Sequence, residues 1–212
     1  MSKWIVLGLV VIVIVAVVAI TIYVEREAPF EQDRLAEGTA GKALILYHPS
    51  RDAHFADELT NSLARGFADR NLAVERWTMT RETPPHPEGF AVIAVVSNTF
   101  YQAPDWPTAR YLARADFKGT PVIAIMAGSG STERAQLALG NAIDRTGARV
   151  LAVRSLWITR PNEPSQPTAD NRQAAMMIAR KLAGDAAGQA IAAGHAEPVA
   201  ASLTTFVMPV RQ

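Results

Sequence analysis

Residues 4–24 read WIVLGLVVIVIVAVVAITIYV, 21 residues without a single charge. At about 1.5 Å per residue, a helix of this length matches the hydrocarbon thickness of a bilayer. The abundance of Val and Ile would suit a strand in water. In lipid an open strand leaves its backbone groups unsatisfied, so the helix is favoured. Trp4 and Tyr23 stand near the two ends of the run, where amphipathic rings prefer the headgroup layer. A cleaved signal peptide is the competing reading. Its apolar core spans about 7–15 residues and is followed by a small-x-small cleavage site. Here the core is longer, and the only loose candidate, Val17-Val18-Ala19, lies inside it. The expectation is an uncleaved single-pass anchor that contacts membrane lipid through residues 4–24. Lys3 precedes the run, whereas Arg26, Arg34 and Lys42 follow it. That asymmetry favours a cytoplasmic C-terminal part.

The remaining 188 residues suffice for one domain with a sizeable core. They hold all 20 acidic residues and 20 of the 21 basic ones, so their net charge is near zero. This balance argues against a nucleic-acid surface, which needs a basic footprint. The chain has no cysteine, which excludes disulfides, thiolate metal sites and a thiol nucleophile.

Residues 25–41 are polar and contain Pro29, which reads as a juxtamembrane linker. From residue 42 onward, short apolar runs alternate with helix-length amphipathic stretches. Residues 43–47 (ALILY), 91–97 (AVIAVVS) and 121–126 (PVIAIM) are buried-strand patterns. Residues 72–78 and 150–157 read as two further strands. Phe55, Leu59, Leu63 and Phe67 recur every four residues and form one helical stripe. Further helices are expected from Pro107 to about residue 117, over 132–146 with Gly147 closing, and over 168–183. Continuous apolar strands have both faces covered, so the sheet should be parallel and the domain a three-layer α/β sandwich over 42–184. Residues 185–212 form an Ala/Gly-rich tail.

In an open parallel sheet, ligands bind beyond the carboxyl ends of the strands. Three loops lie there. In residues 48–52 (HPSRD), Ser50 and Arg51 could hold a phosphate at a helix start; alternatively, Asp52 simply caps that helix. Residues 97–106 (SNTFYQAPDW) place Asn98, Thr99, Phe100, Tyr101 and Trp106 at the end of a central strand. Polar and aromatic groups there could stack on a flat heteroaromatic ring, or Phe100 and Trp106 could bury the loop against the domain. Residues 127–131 (AGSGS) contain Gly128, Ser129 and Gly130. They resemble the start of a dinucleotide fingerprint, but Glu133 occupies its third glycine position. His48, Asp52 and His54 straddle a strand-to-helix corner rather than one helical face, which is poor metal-site geometry. No Gly-x-Ser-x-Gly elbow or Walker loop is present.

Taken together, the order of elements and these loops resemble the flavodoxin-like family. ALILYHPSRDAHFADEL is similar to its first strand, phosphate loop and helix. AVIAVVSNTFY is similar to its third strand and following loop, with Ser97, Asn98, Phe100 and Tyr101 on the Ser, Pro, Tyr and Trp of a Gly-Ser-Pro-x-Tyr-Trp pattern. PVIAIMAGSGS resembles the fourth strand and its small-residue loop. The resemblance implies a five-stranded parallel sheet of order 2-1-3-4-5 and noncovalent FMN. It further implies electron transfer from NAD(P)H to a quinone or protein acceptor, and homodimers are common in the family. Carried over, Ser50 and Arg51 would meet the phosphate. Ser97, Asn98, Thr99, Phe100 and Tyr101 would line the isoalloxazine, and Gly128, Ser129 and Gly130 would border its far side. HPSRD lacks the glycine and threonines usual in the family's phosphate loop. That departure supports a second expectation, a flavodoxin-fold module without cofactor that serves as a membrane-bound scaffold.

Overall fold

The computed structural model describes residues 3–49, 54–162 and 170–194. Helix α1 (Lys3–Val24) carries the apolar run. Among the described residues it is the one helix long and apolar enough to cross a membrane, and none of Lys3–Tyr23 is buried against the protein.

The strands β2 (Lys42–Tyr47), β4 (Val92–Phe100) and β6 (Pro121–Gly128) form the middle of the sheet, with nearly every residue of their apolar runs buried. Strand β3 (Ala73–Thr78) pairs with β2, and β7 (Arg149–Trp157) pairs with β6, both in parallel. The parallel order β3-β2-β4-β6-β7 is the 2-1-3-4-5 arrangement expected from the sequence. One layer consists of α2 (Phe55–Ala68) and α5 (Asn171–Ala192), packed on the cluster around Ile45, Val74 and Ile125. The other holds α3 (Trp106–Leu112) and α4 (Glu133–Asp144), over Leu44, Ile93, Tyr111 and Met126. The stripe Phe55, Leu59, Leu63 and Phe67 of α2 is buried throughout, as its spacing predicts.

Two departures have physical reasons. The sheet has seven strands, not five. The first addition is β1 (Gln32–Ala36), inside the segment read as a linker; it runs antiparallel to β3 at the sheet edge. An edge strand with one solvated face can be polar, so QDRLA gives no apolar signal; Asp33 instead meets Arg76 Nη2 at 2.6 Å. The second addition is the two-residue β5 (Ala103–Pro104), which folds back on β4. At the other end, α5 continues to Ala192, well into the stretch read as a tail. Its alanines are strong helix formers, and seven of them are buried. They approach α2 so closely that a Cβ on Gly66 would collide with the Arg180 carbonyl oxygen and stand 2.8 Å from Ala183 Cβ.

Candidate functional site

The strand order reverses between β2 and β4, so the crevice at their carboxyl ends is the favoured ligand position for this topology. The Asn98 side chain closes that crevice by donating to the His48 carbonyl at 2.9 Å. Asp105 organises the rest. Its Oδ1 accepts the Thr108 N–H at 2.9 Å, which makes Asp105 the N-cap of α3 with Pro107 in the first turn. Its Oδ2 accepts the Asn98 N–H at 2.7 Å and the Ser97 hydroxyl at 3.3 Å. The Asp105 N–H returns to the Asn98 carbonyl at 3.0 Å.

His48 lies 4 % exposed beside this carboxylate, with Nδ1 3.6 Å from Oδ1. That is an ion-pair contact beyond hydrogen-bonding distance, and Nδ1 has no hydrogen-bond partner. Burial alone would lower the imidazole pKa. Asp105 outweighs it, aided by the Arg26 carbonyl and Glu25, and the value is raised. For Asp105, burial pushes the carboxyl up, but His48 and the Thr108 N–H hold it below the usual carboxylate range. Glu25, the first residue after α1, is buried here too, and its Oε2 accepts the Trp106 N–H at 2.5 Å. Burial and the Asp105 charge raise its pKa against the opposing pull of Trp106, His48 and Arg110.

Beyond Asn98 the chain makes a two-residue hairpin, with Thr99 opposite Pro104 and Phe100 opposite Ala103. Tyr101 and Gln102 at its tip have φ 45° and 60°. Two-residue hairpins need this left-handed pair to match strand twist, yet Asn-Gly is the usual choice. Holding Tyr and Gln there costs about 1 kcal/mol per residue. The turn leaves the Tyr101 ring 71 % exposed, 4.4 Å centroid to centroid from Phe100.

The third loop is crowded at both of its glycines. A Cβ on Gly128 would stand 3.1 Å from Thr99 Oγ1 and 2.8 Å from Thr132 Cγ2, so glycine permits the ends of β4 and β6 to close together. Thr99 Oγ1 is buried at that junction without a hydrogen-bond partner among the described residues. The Ser129 carbonyl accepts the Thr159 hydroxyl. The Arg160 side chain packs over Gly130, 2.9 Å from where a Cβ would be. Behind the loop, Thr132 joins the start of α4 to Ser155 of β7 at 2.6 Å, and the Trp157 indole donates to Thr132 at 2.8 Å.

The structure therefore brings Ser97, Asn98, Thr99, Phe100 and Tyr101 together with Gly128, Ser129 and Gly130 at one edge. Ser97 and Asn98 turn toward Asp105, while Tyr101 and Ser129 are exposed. Ser50 and Arg51, along with Asp52, lie outside the described residues. His54 is on the surface, away from buried His48. Among the described residues no His, Asp and Glu side chains gather as a metal set. Sequence reasoning missed Glu25, His48 and Asp105 as parts of one cluster. Asp105 carried a signal, since Asp-Trp-Pro-Thr is a helix-start pattern. Glu25 carried none, because its partner is distant in sequence.

No family model and no curated protein matches the chain. Solved structures do. An archaeal flavodoxin aligns with a TM-score of 0.54 and 16 % identity, over 70 % of this chain and 98 % of that one. Reduced flavodoxin from Megasphaera elsdenii aligns with a TM-score of 0.50 and 15 % identity, over 69 % and 98 %. An azoreductase from Bacillus anthracis aligns with a TM-score of 0.50 and 11 % identity, over 68 % and 99 %. At these identities the likeness is one of fold, and the fold is flavodoxin-like.

Proposed function

We propose that this chain is a membrane-anchored flavodoxin-like redox protein that uses FMN to pass electrons from NAD(P)H to a quinone or protein acceptor, with its domain on the cytoplasmic face. The observation that carries the reading is the Tyr101 ring, held exposed on a strained turn at the carboxyl edge of the sheet, beside the strand-order reversal. Strain kept in a loop at the ligand edge of a fold is a feature of functional sites.

The residues present fit the ring of a flavin. Tyr101 would stack on it. Ser50 and Arg51 are the residues that would hold the phosphate. When bound, the flavin supplies the hydride and electron chemistry, and the protein supplies position and electrostatics. Here that contribution is a fixed loop. Asp105 ties Asn98 to the start of α3 and, through His48, to the end of β2, so the ring-facing segment is held rigid before any ligand arrives.

The visible spectrum of the purified full chain tests the reading, followed by titration with FMN. A yellow protein, or uptake of added FMN, is expected. Tyr101→Ala should weaken FMN binding by about 3- to 10-fold, the contribution of one aromatic contact. A colourless protein that takes up no FMN would refute the proposal. It would favour the cofactor-free scaffold, which draws support from the Asn98 N–H and carbonyl already committed to Asp105 and from Arg160 packed over Gly130.

A further inference from the structure

Residues 25–27 do not form a free tether. Glu25 immediately follows α1, and its carboxylate accepts the Trp106 N–H at 2.5 Å. Glu27 then pairs with Arg110 at 3.4 Å and Arg81 at 3.5 Å. The start of α3 is thus fixed within one glutamate side chain of the point where α1 ends. The headgroup layer beyond that point is about 5–8 Å thick on each side of the hydrocarbon. Whatever is fastened to Glu25 lies inside it.

The side chains at that place suit the layer. Trp106 is 44 % exposed, and the Arg110 guanidinium lies 5.7 Å from its ring centroid. With Ala109 they line a shallow concavity on α3. Outside α1, the large apolar side chains exposed among the described residues are Tyr101, Trp106, Leu137, Val150, Met177 and Ile191. The two aromatic ones both stand at this edge. An indole beside a guanidinium is the pairing that lipid headgroups select, the ring seated among glycerol groups and the cation at phosphate. The opposite edge instead carries the exposed ion pair Lys118–Glu88 at 3.0 Å.

We infer that the face formed by Trp106, Ala109 and Arg110 is seated in the phospholipid headgroup layer of the membrane that α1 crosses, so that the carboxyl edge of the sheet opens onto lipid. The inference rests on α1 being a membrane span and is independent of FMN. It fixes the attitude of the domain, with the loops at 97–106 toward the bilayer and Lys118 away from it.

The absence of cysteine makes the test direct, because Ala109→Cys and Lys118→Cys each create a unique thiol. Both sites are solvent-accessible, and the strands separating the two edges run roughly 25 Å. Each variant of the full chain would carry an environment-sensitive fluorophore. It would be reconstituted in vesicles of phosphatidylcholine and phosphatidylglycerol containing lipid with a nitroxide on the headgroup. Flotation after a carbonate wash reports insertion. The expected result is a chain that floats, with the label at 109 quenched several-fold more than the label at 118. Arg110→Cys should repeat the strong quenching. A chain that floats with equal quenching at 109 and 118, or with more at 118, overturns the inference and leaves the span intact. A chain washed from the vesicles overturns the span and the inference together.

Discussion

Along the seam between α2 and α5, contact is made by what is missing: Gly66 has no side chain, and the α5 backbone at Arg180 and the single methyl of Ala183 close against it. At the carboxyl edge the same degree of closure is reached by buried polar groups, with Asp105 taking three hydrogen bonds beside His48 and Glu25. The first region is intolerant of volume. The second depends on every hydrogen-bond partner and on protonation. The fold thus places its apolar fastening far from the carboxyl edge of the sheet and its conditional, polar fastening at it.

The largest effect should come from the polar region. Asp105→Ala leaves the Asn98 and Thr108 amides without an acceptor and His48 without its counter-charge, and should destabilise the domain by about 3–5 kcal/mol. Asp105→Asn keeps an acceptor oxygen and should recover part of that loss. Urea unfolding of the full chain in detergent measures both, and equal losses in the two variants would contradict the polar account. Next comes the seam, where Gly66→Ala should cost about 2–3 kcal/mol by forcing α5 away from α2. A loss below about 1 kcal/mol would mean that the seam yields more readily than its packing suggests.

The contrast also has a pH signature. The His48 value is raised on folding, so its contribution is fully present below the ordinary histidine value of about 6.5 and is lost as pH rises through the folded value. Asp105 is lowered, so its contribution is present above the usual carboxylate range and is lost only in acid. Stability should therefore fall as pH rises from about 6, and His48→Gln should flatten that slope. At the seam, Asp69 is held low by Arg180 at 2.7 Å and already carries its charge throughout this window. An unchanged slope in His48→Gln would assign the pH dependence elsewhere. The smallest effect is expected at Thr99. Thr99→Val removes a buried hydroxyl that has no partner, and without ligand should change stability by less than about 1 kcal/mol in either direction. A larger loss would show that the hydroxyl is already satisfied.

How far these regions can be read from sequence follows the same division. The runs that became β2, β4 and β6 announce themselves, because strands buried on both faces must be continuously apolar. The stripe on α2 is equally plain. β1 is silent because an edge strand is stabilised by backbone pairing with β3, which leaves its side chains free to be polar. The length of α5 is hidden for another reason: alanine and glycine look like a tail until a partner such as Gly66 is known to accept them. At the carboxyl edge, the loop at 97–106 is identifiable by residue type and position. The direction of Ser97 and Asn98 was not, because it is set by Asp105 several residues on. The role of Glu25 depends on Trp106, 81 residues away.

The alanine stripe of α5 has a thermodynamic consequence. A buried leucine or methionine surrenders rotamer freedom on folding, whereas alanine has none to lose. Seven buried alanines on one helix therefore order a long interface at almost no side-chain entropy. The same economy removes any reserve. Where Gly66 meets the α5 backbone at Arg180, an added methyl must be accommodated by moving backbone.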